Sequence, residues 1–211
     1  MIAPRWLALL ALLTLVAPVT PAAAQSAAPT VRGLEVVGTE LRVVFTDGTH
    51  LPRDKLIGAV LTFVNAKGMA QWFRVDAIEV DARDDVGDVL LYSLTTPDAS
   101  GAWVPLCGPD PDGRHLAIPL AGAWDEDGNP VAGGSTPAGA FTPALTSGAL
   151  GKCVRFGYKP WKTVNGACLN RHHAACMRMV RGDYGGTGEP FTRDGMRIDV
   201  YRPGQHPGAR Q

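Results

Sequence analysis

Neither sign of charge dominates this chain: 20 Lys and Arg balance 20 Asp and Glu. That balance excludes a strongly basic nucleic-acid binder and a strongly acidic solvating segment. Aromatic residues are scarce, at 7%. No stretch of the middle holds helical periodicity for three turns, which excludes a helical bundle there. Beyond the N-terminus no apolar run reaches the roughly 20 residues that a membrane helix needs, so no transmembrane segment is expected after it. No complete catalytic signature is present, and no motif names a reaction. What is present is a 211-residue chain with 45% hydrophobic residues, enough for a buried core. Its 25 Gly and 17 Pro favour turns and short elements.

Residues 1–24 have the three-part pattern of an export leader. Arg5 is the positive start, Trp6 to Val16 the apolar run, and Ala22-Ala23-Ala24 the small-residue cleavage site. Cleavage after Ala24 is expected, with export to the periplasm or the medium. Four cysteines, Cys107, Cys153, Cys168 and Cys176, then read as disulfide partners. Four cysteines allow three connectivities, and spacing does not choose among them.

Residues 25–140 read as β-rich, a small sandwich or open barrel. Leu41 to Thr46 partly alternates and ends at the Asp47-Gly48 turn. Ala59 to Val64, Trp72 to Val80 and Val89 to Leu94 (VLLYSL) are further strands, with Phe73 and Val75 on one face. Gly133 to Gly139 is a linker candidate. After Phe141 the texture changes. Thr146 or Ser147 caps a helix carrying Leu150, Cys153 and Val154, ended by Gly157. A second helix runs from Ala167 to Arg181 and stops at Gly182. Its inner face carries Leu169, His172, His173, Cys176 and Val180. Met196, Ile198 and Val200 alternate as a final strand, and residues 203–211 form a loose tail. The fold class is α+β.

Several spaced motifs carry a family resemblance. Gly148-Ala-Leu-Gly-Lys-Cys153 leads to Gly157-Tyr-Lys-Pro-Trp161. His173-Ala-Ala-Cys-Met-Arg-Met-Val-Arg181 and Thr192-Arg-Asp-Gly195 follow. Trp103 to Gly108 and Gly122 to Asp125 precede them. Together they resemble the ADYC-domain family, exported bacterial proteins named for an Ala-Asp-Tyr-Cys signature. The signature here is Gly182-Asp183-Tyr184-Gly185, so its cysteine is replaced. Leu145 stands where the family has a second cysteine. The resemblance implies an antiparallel helical hairpin clamped by Cys153–Cys176. An outer bridge between positions 145 and 185 would be lost from both ends. It leaves Cys107 and Cys168 as the second bridge, tying the β region to the helices. It implies no particular reaction.

Three functional readings follow. The first is an exported, disulfide-stapled binding or structural protein without catalysis. The second is an exported hydrolase-like enzyme centred on His172, His173 and Asp183, since imidazoles and a carboxylate can move protons. Its nucleophile would be Cys176 if the thiol were free. The third is an envelope-associated binder of anionic polymers, with Arg171, Arg178 and Tyr184 as binding residues. Cys168, His172, Cys176 and Cys153 are zinc-ligand types, but positions along one straight helix converge poorly on one ion. Asp110 to Gly113 and Asp125 to Asn129 lack a full calcium loop and read as turns. No metal, cofactor or nucleic-acid partner is expected. The zero net charge conceals a partition. Residues 25–151 hold 8 basic and 16 acidic side chains, and residues 152–211 hold 11 and 4. Either the halves complement each other, or a basic face stays open for an anionic partner.

Overall fold

The computed structural model describes residues 28–64, 70–125, 127–131, 139–193 and 195–197. The expected leader, residues 132–138 of the expected linker region, the end of the last expected strand (198–200) and the tail lie outside them. Met196 and Arg197 are described and have no regular structure.

The chain opens with an antiparallel ribbon of β1 (Val31–Val37) and β2 (Glu40–Phe45). A larger antiparallel sheet follows, from β3 (Val60–Val64), β4 (Ala70–Val80), β5 (Leu90–Pro97) and β6 (Trp103–Pro105) to β7 (Ala117–Ala121) and β8 (Phe141–Leu145). Its order is β3-β4-β5-β7-β8, with β6 also paired to β5. The apolar run read as a buried strand is β5, and it is buried on both faces. Leu90, Tyr92 and Leu94 pack with Phe73, Val75, Leu41 and Val43, which places the ribbon on one side. Val89 and Leu91 pack with Ile118, Leu120, Ala144 and Val154 on the other side. Alternation along one strand thus feeds two cores. Polar ties hold the ribbon down. The Leu41 amide donates to the Tyr92 hydroxyl at 3.0 Å, and Thr39 Oγ1 accepts from Leu90 N and donates to the Asp88 carbonyl.

The second core is covered by α1 (Ala149–Arg155). Gly148, not Thr146 or Ser147, is at its N-cap. Thr146 is unavailable because its hydroxyl is turned to Asp110 Oδ2 and the Leu116 carbonyl, at 3.1 and 3.2 Å, which share its one proton. Gly151 lets α1 lie on β8, because a Cβ there would sit 2.3 Å from the Leu145 carbonyl oxygen. Next comes a small hairpin of β9 (Thr163–Val164) and β10 (Ala167–Cys168) around Asn165-Gly166. Both turn residues have positive φ, 49° and 78°, which suits the Asn-Gly pair. This hairpin displaces the expected helix start, and α2 runs Asn170–Arg181. Gly182 closes it in the left-handed conformation.

α1 and α2 are joined by the Cys153–Cys176 disulfide. Their contacts advance together: Leu150 meets His173, Cys153 meets Cys176, and Phe156 shares a groove with Met179 and Val180. The expected antiparallel sense would run these contacts in opposite directions. The Phe156–Leu169 connection accounts for the difference, because it carries the chain back beside the start of α1. Positions 145 and 185 do not meet. Leu145 lies against Gly151, and Gly185 beside Phe191.

The helical segment is docked on the sheet by ions. Arg155 holds Asp81 through Nε at 2.7 Å, with Asp110 at 3.6 Å. Lys159 bridges Asp84, at 2.5 Å, and Asp88. Lys162 reaches Asp88 at 2.5 Å. Replacing Arg155 would leave Asp81, 2% exposed, and Asp110 buried without their cation. Arg155→Met should therefore lower unfolding free energy by about 3–5 kcal/mol, read from urea denaturation. A loss within the range of exposed pairs, up to about 1 kcal/mol, would show the contact to be solvent-like.

Candidate functional site

The residues singled out for chemistry lie on or beside α2, and the helix separates them. His173 is fully buried. Its Nε2 lies 3.2 Å from the Leu150 carbonyl, and Trp124 packs edge-on at 5.3 Å between ring centroids. Nδ1 is buried without a well-formed hydrogen bond. Burial pushes its pKa below 6.5, outweighing the carbonyls of Leu150 and Gly128, which favour the proton. The ring is thus a neutral packing element. His172, its neighbour, points to the exposed side of α2. Of the expected inner face, His173 and Cys176 are buried and joined by Met177, whereas Val180 is 37% exposed.

Asp183 is buried just past the helix and organises the loop there. Its carboxylate accepts from the amides of Thr187 and Gly188, both at 2.9 Å. Burial would raise its pKa, but the amides of Gly188, Thr187 and Gly186 and the Arg178 charge hold it below 3.8. No hydrogen bond joins Asp183 to either histidine. Tyr184 is 60% exposed. Arg171 and Arg178 are also exposed. The Arg178 guanidinium lies over Gly186, where a Cβ would meet it at 2.9 Å. The three binding candidates are therefore on the surface, while the three catalytic candidates do not converge.

The cysteines divide by environment. Cys153 and Cys176 are disulfide-bonded, which takes two of the four candidate zinc ligands. Cys107 and Cys168 are free thiols, contrary to the expected second bridge. Cys107 is buried in the core beneath the ribbon. Cys168 is on the β9–β10 hairpin, 3.5 Å from the Pro160 carbonyl. Burial, aided by the Asp110 charge, pushes the Cys107 thiol up, away from nucleophilic chemistry. The Asp110 loop is likewise structural. Its Oδ1 accepts from the amides of Asp112 and Arg114, at 3.0 and 2.9 Å. Asp125 accepts from the Asn129 amide in the same way.

The ion cluster also floors a crevice of about 460 Å³. Val86, Phe156, Val164 and Leu169 supply apolar wall, and Asp84, Lys159 and Lys162 supply charge. The acidic surplus of residues 25–151, to which Asp84 and Asp88 belong, was visible in the sequence, but not the lysines they meet. Burial would raise the Asp84 pKa, yet Lys159 and the amides of Asp88 and Val89 hold it at about 2. Lys159 is pushed up: its bonds to Asp84 and Asp88 outweigh burial. These charges satisfy one another.

The model of the ADYC domain matches residues 53–210, and the chain belongs to that family. No curated protein and no solved structure matches it.

Two measurements test this description. Ellman titration without reductant should find one thiol in the native chain, Cys168, and a second, Cys107, only after unfolding. No thiol in the unfolded chain would restore a Cys107–Cys168 bridge. The second is acid unfolding. His173 has a lowered folded pKa, so the unfolded chain binds the extra proton. Its contribution is complete well above pH 6.5 and erodes as pH falls through that value. Asp84, also lowered, contributes above about pH 4 and is lost as pH falls towards 2. Stability should thus decline in two stages, and His173→Gln should abolish the first. A single stage below pH 4 in the wild type would contradict the neutral buried imidazole.

Proposed function

We propose that the chain is an exported, disulfide-stapled binding or structural protein without catalysis. The observation that carries this reading is the fate of its reactive groups. His173 is packed under Trp124, Asp183 is occupied by loop amides, and Cys176 is in a disulfide. Among the described residues, Cys176, His172, His173 and Asp183 are not held within reach of one another as nucleophile, base and orienting acid, as nucleophilic catalysis requires. The disulfide suits an oxidising compartment, and the leader pattern of residues 1–24 supplies the route. In this reading Gln25 is the first residue of the mature chain.

A second reading has one observation in its favour. Arg171, Arg178 and Arg181 are exposed along α2 and form no salt bridge among the described residues. They keep open the binding of an anionic envelope polymer. Arg155, Lys159 and Lys162 do not contribute, because they are paired with the β region. The basic surplus available to a partner is therefore smaller than composition suggests.

The test is expression of the full chain in a bacterium with a periplasm. The product should be recovered outside the cytoplasm with a mass that begins at Gln25. Purified, it should not turn over ester, peptide or phosphoester substrates. Turnover abolished by His172→Ala would overturn the non-catalytic reading. Salt-sensitive retention on heparin, lost on replacing Arg171 and Arg178 with Ala, would favour the polymer-binding reading.

A further inference from the structure

We propose that the free edge of β3 is a dimer interface, at which the strand pairs antiparallel with β3 of a second copy about a two-fold axis through Thr62. The pairing does not depend on export or on the absence of catalysis. β3 stands at the end of the sheet order, and among the described residues no strand pairs with its far side. The ladder fixes which backbone groups that edge presents. The Val75 amide donates to the Ala59 carbonyl at 3.0 Å. Antiparallel partners alternate between bonded and unbonded pairs, so Leu61 and Phe63 bond to β4, opposite Phe73 and Gln71. Val60, Thr62 and Val64 therefore turn their N–H and C=O groups away from β4. Such an edge is a template for another strand.

Other strand edges of this fold are blunted, each in its own way. β1 carries Arg32 and Glu35, bulges between Val31 and Gly33, and has Gly139 against the Leu34 carbonyl oxygen. Beside β2, the Val43 carbonyl accepts from the Leu51 amide at 2.9 Å. β6 has three residues and ends in Pro105. In β8, Pro143 has no N–H to offer, and the Leu145 carbonyl accepts from the Gly148 amide at 3.0 Å. β9 and β10 are two residues each. β3 has none of these devices. Its sequence, VLTFV, holds no charge and no proline, and its pairing with β4 has no register shift. Val60 is 51% exposed, and Thr62 is exposed beside it.

The occupant that fits is a second copy of this chain. The outward residues are evenly spaced about Thr62. A two-fold axis there sets Thr62 opposite itself and Val60 opposite Val64 of the partner subunit. Every outward N–H of one strand then meets an outward C=O of the other. One closed, symmetric contact removes both free edges, and a cross-strand Thr–Thr pair is itself favourable. Charge does not oppose the contact. The strand is uncharged, and 20 basic against 20 acidic residues leave no net field to keep copies apart. A foreign peptide can also add a strand to an open edge. No charge along β3 would select its sequence, however, whereas the symmetric register is built into this one.

Sedimentation equilibrium of the purified chain tests this, with hydrogen exchange at low and high concentration. A reversible monomer–dimer equilibrium is expected. The amides of Val60, Thr62 and Val64 should exchange more slowly as concentration rises, while those of Leu61 and Phe63, bonded to β4, stay slow throughout. Thr62→Lys sets like charges opposite each other and should weaken the dimer about tenfold or more. Thr62→Asp should do the same. Mixing the two variants should restore a dimer, which misfolded variants would not do. Thr163→Lys, on the exposed β9–β10 hairpin, should leave association unchanged. The proposal is overturned if the chain stays a monomer up to about 0.1 mM, if Thr62→Lys associates as tightly as the wild type, or if the two variants do not pair. Slow exchange at Val60 and Thr62 in a chain that stays monomeric would also overturn it, and would assign the edge to a strand of the same chain. None of these results bears on the export and turnover measurements, so the two readings fail separately.

Discussion

The structure depends on one contact: the Arg155, Lys159 and Lys162 cations against Asp81, Asp84, Asp88 and Asp110. The acidic loop between β4 and β5 cannot be buried alone, because each ion loses its hydration on burial. The helical segment cannot dock alone for the same reason. Each supplies what the other lacks. Buried pairs of this kind add little net stability against an apolar alternative. Their energetic force is in the penalty for mispairing. A helix shifted by one turn on the sheet would leave Asp81 or Asp84 without a cation, so the network fixes where α1 sits.

The position of α2 follows from that of α1. Across the helix pair the contacts are the disulfide, the His173 hydrogen bond to Leu150 and a small cluster with Met177. A cluster of that size is weak cover for a twelve-residue helix, and the covalent link compensates by restricting the unfolded chain. The residues that seemed chemical are part of this attachment. His173 is a flat filler between Leu150 and Trp124, and Asp183 is the anchor of the loop that leaves the helix. His173 Nε2 and the Asp183 carboxylate are explained by backbone groups that need partners.

The sequence was most legible where one strand or one turn decides the outcome. VLLYSL announces a strand buried on both faces, and Phe73 with Val75 announces an inward face. Gly157 and Gly182 stop their helices as read. Asn165-Gly166 carries a hairpin signal, but its strands are two residues each and show no alternation to read. Thr146 looked like a cap because its partner, Asp110, is distant in sequence. The thiols of Cys107 and Cys168 were unreadable for a related reason: pairing depends on which side of the sheet each residue occupies.

The charge partition shows how far composition reaches. A surplus of acid before residue 151 and of base after it predicts attraction between the halves. It does not say whether that attraction is internal or is offered to a partner. Geometry divides the surplus. Arg155 on α1 and Lys159 and Lys162 after it are consumed inside the fold, and the cations on α2 face solvent.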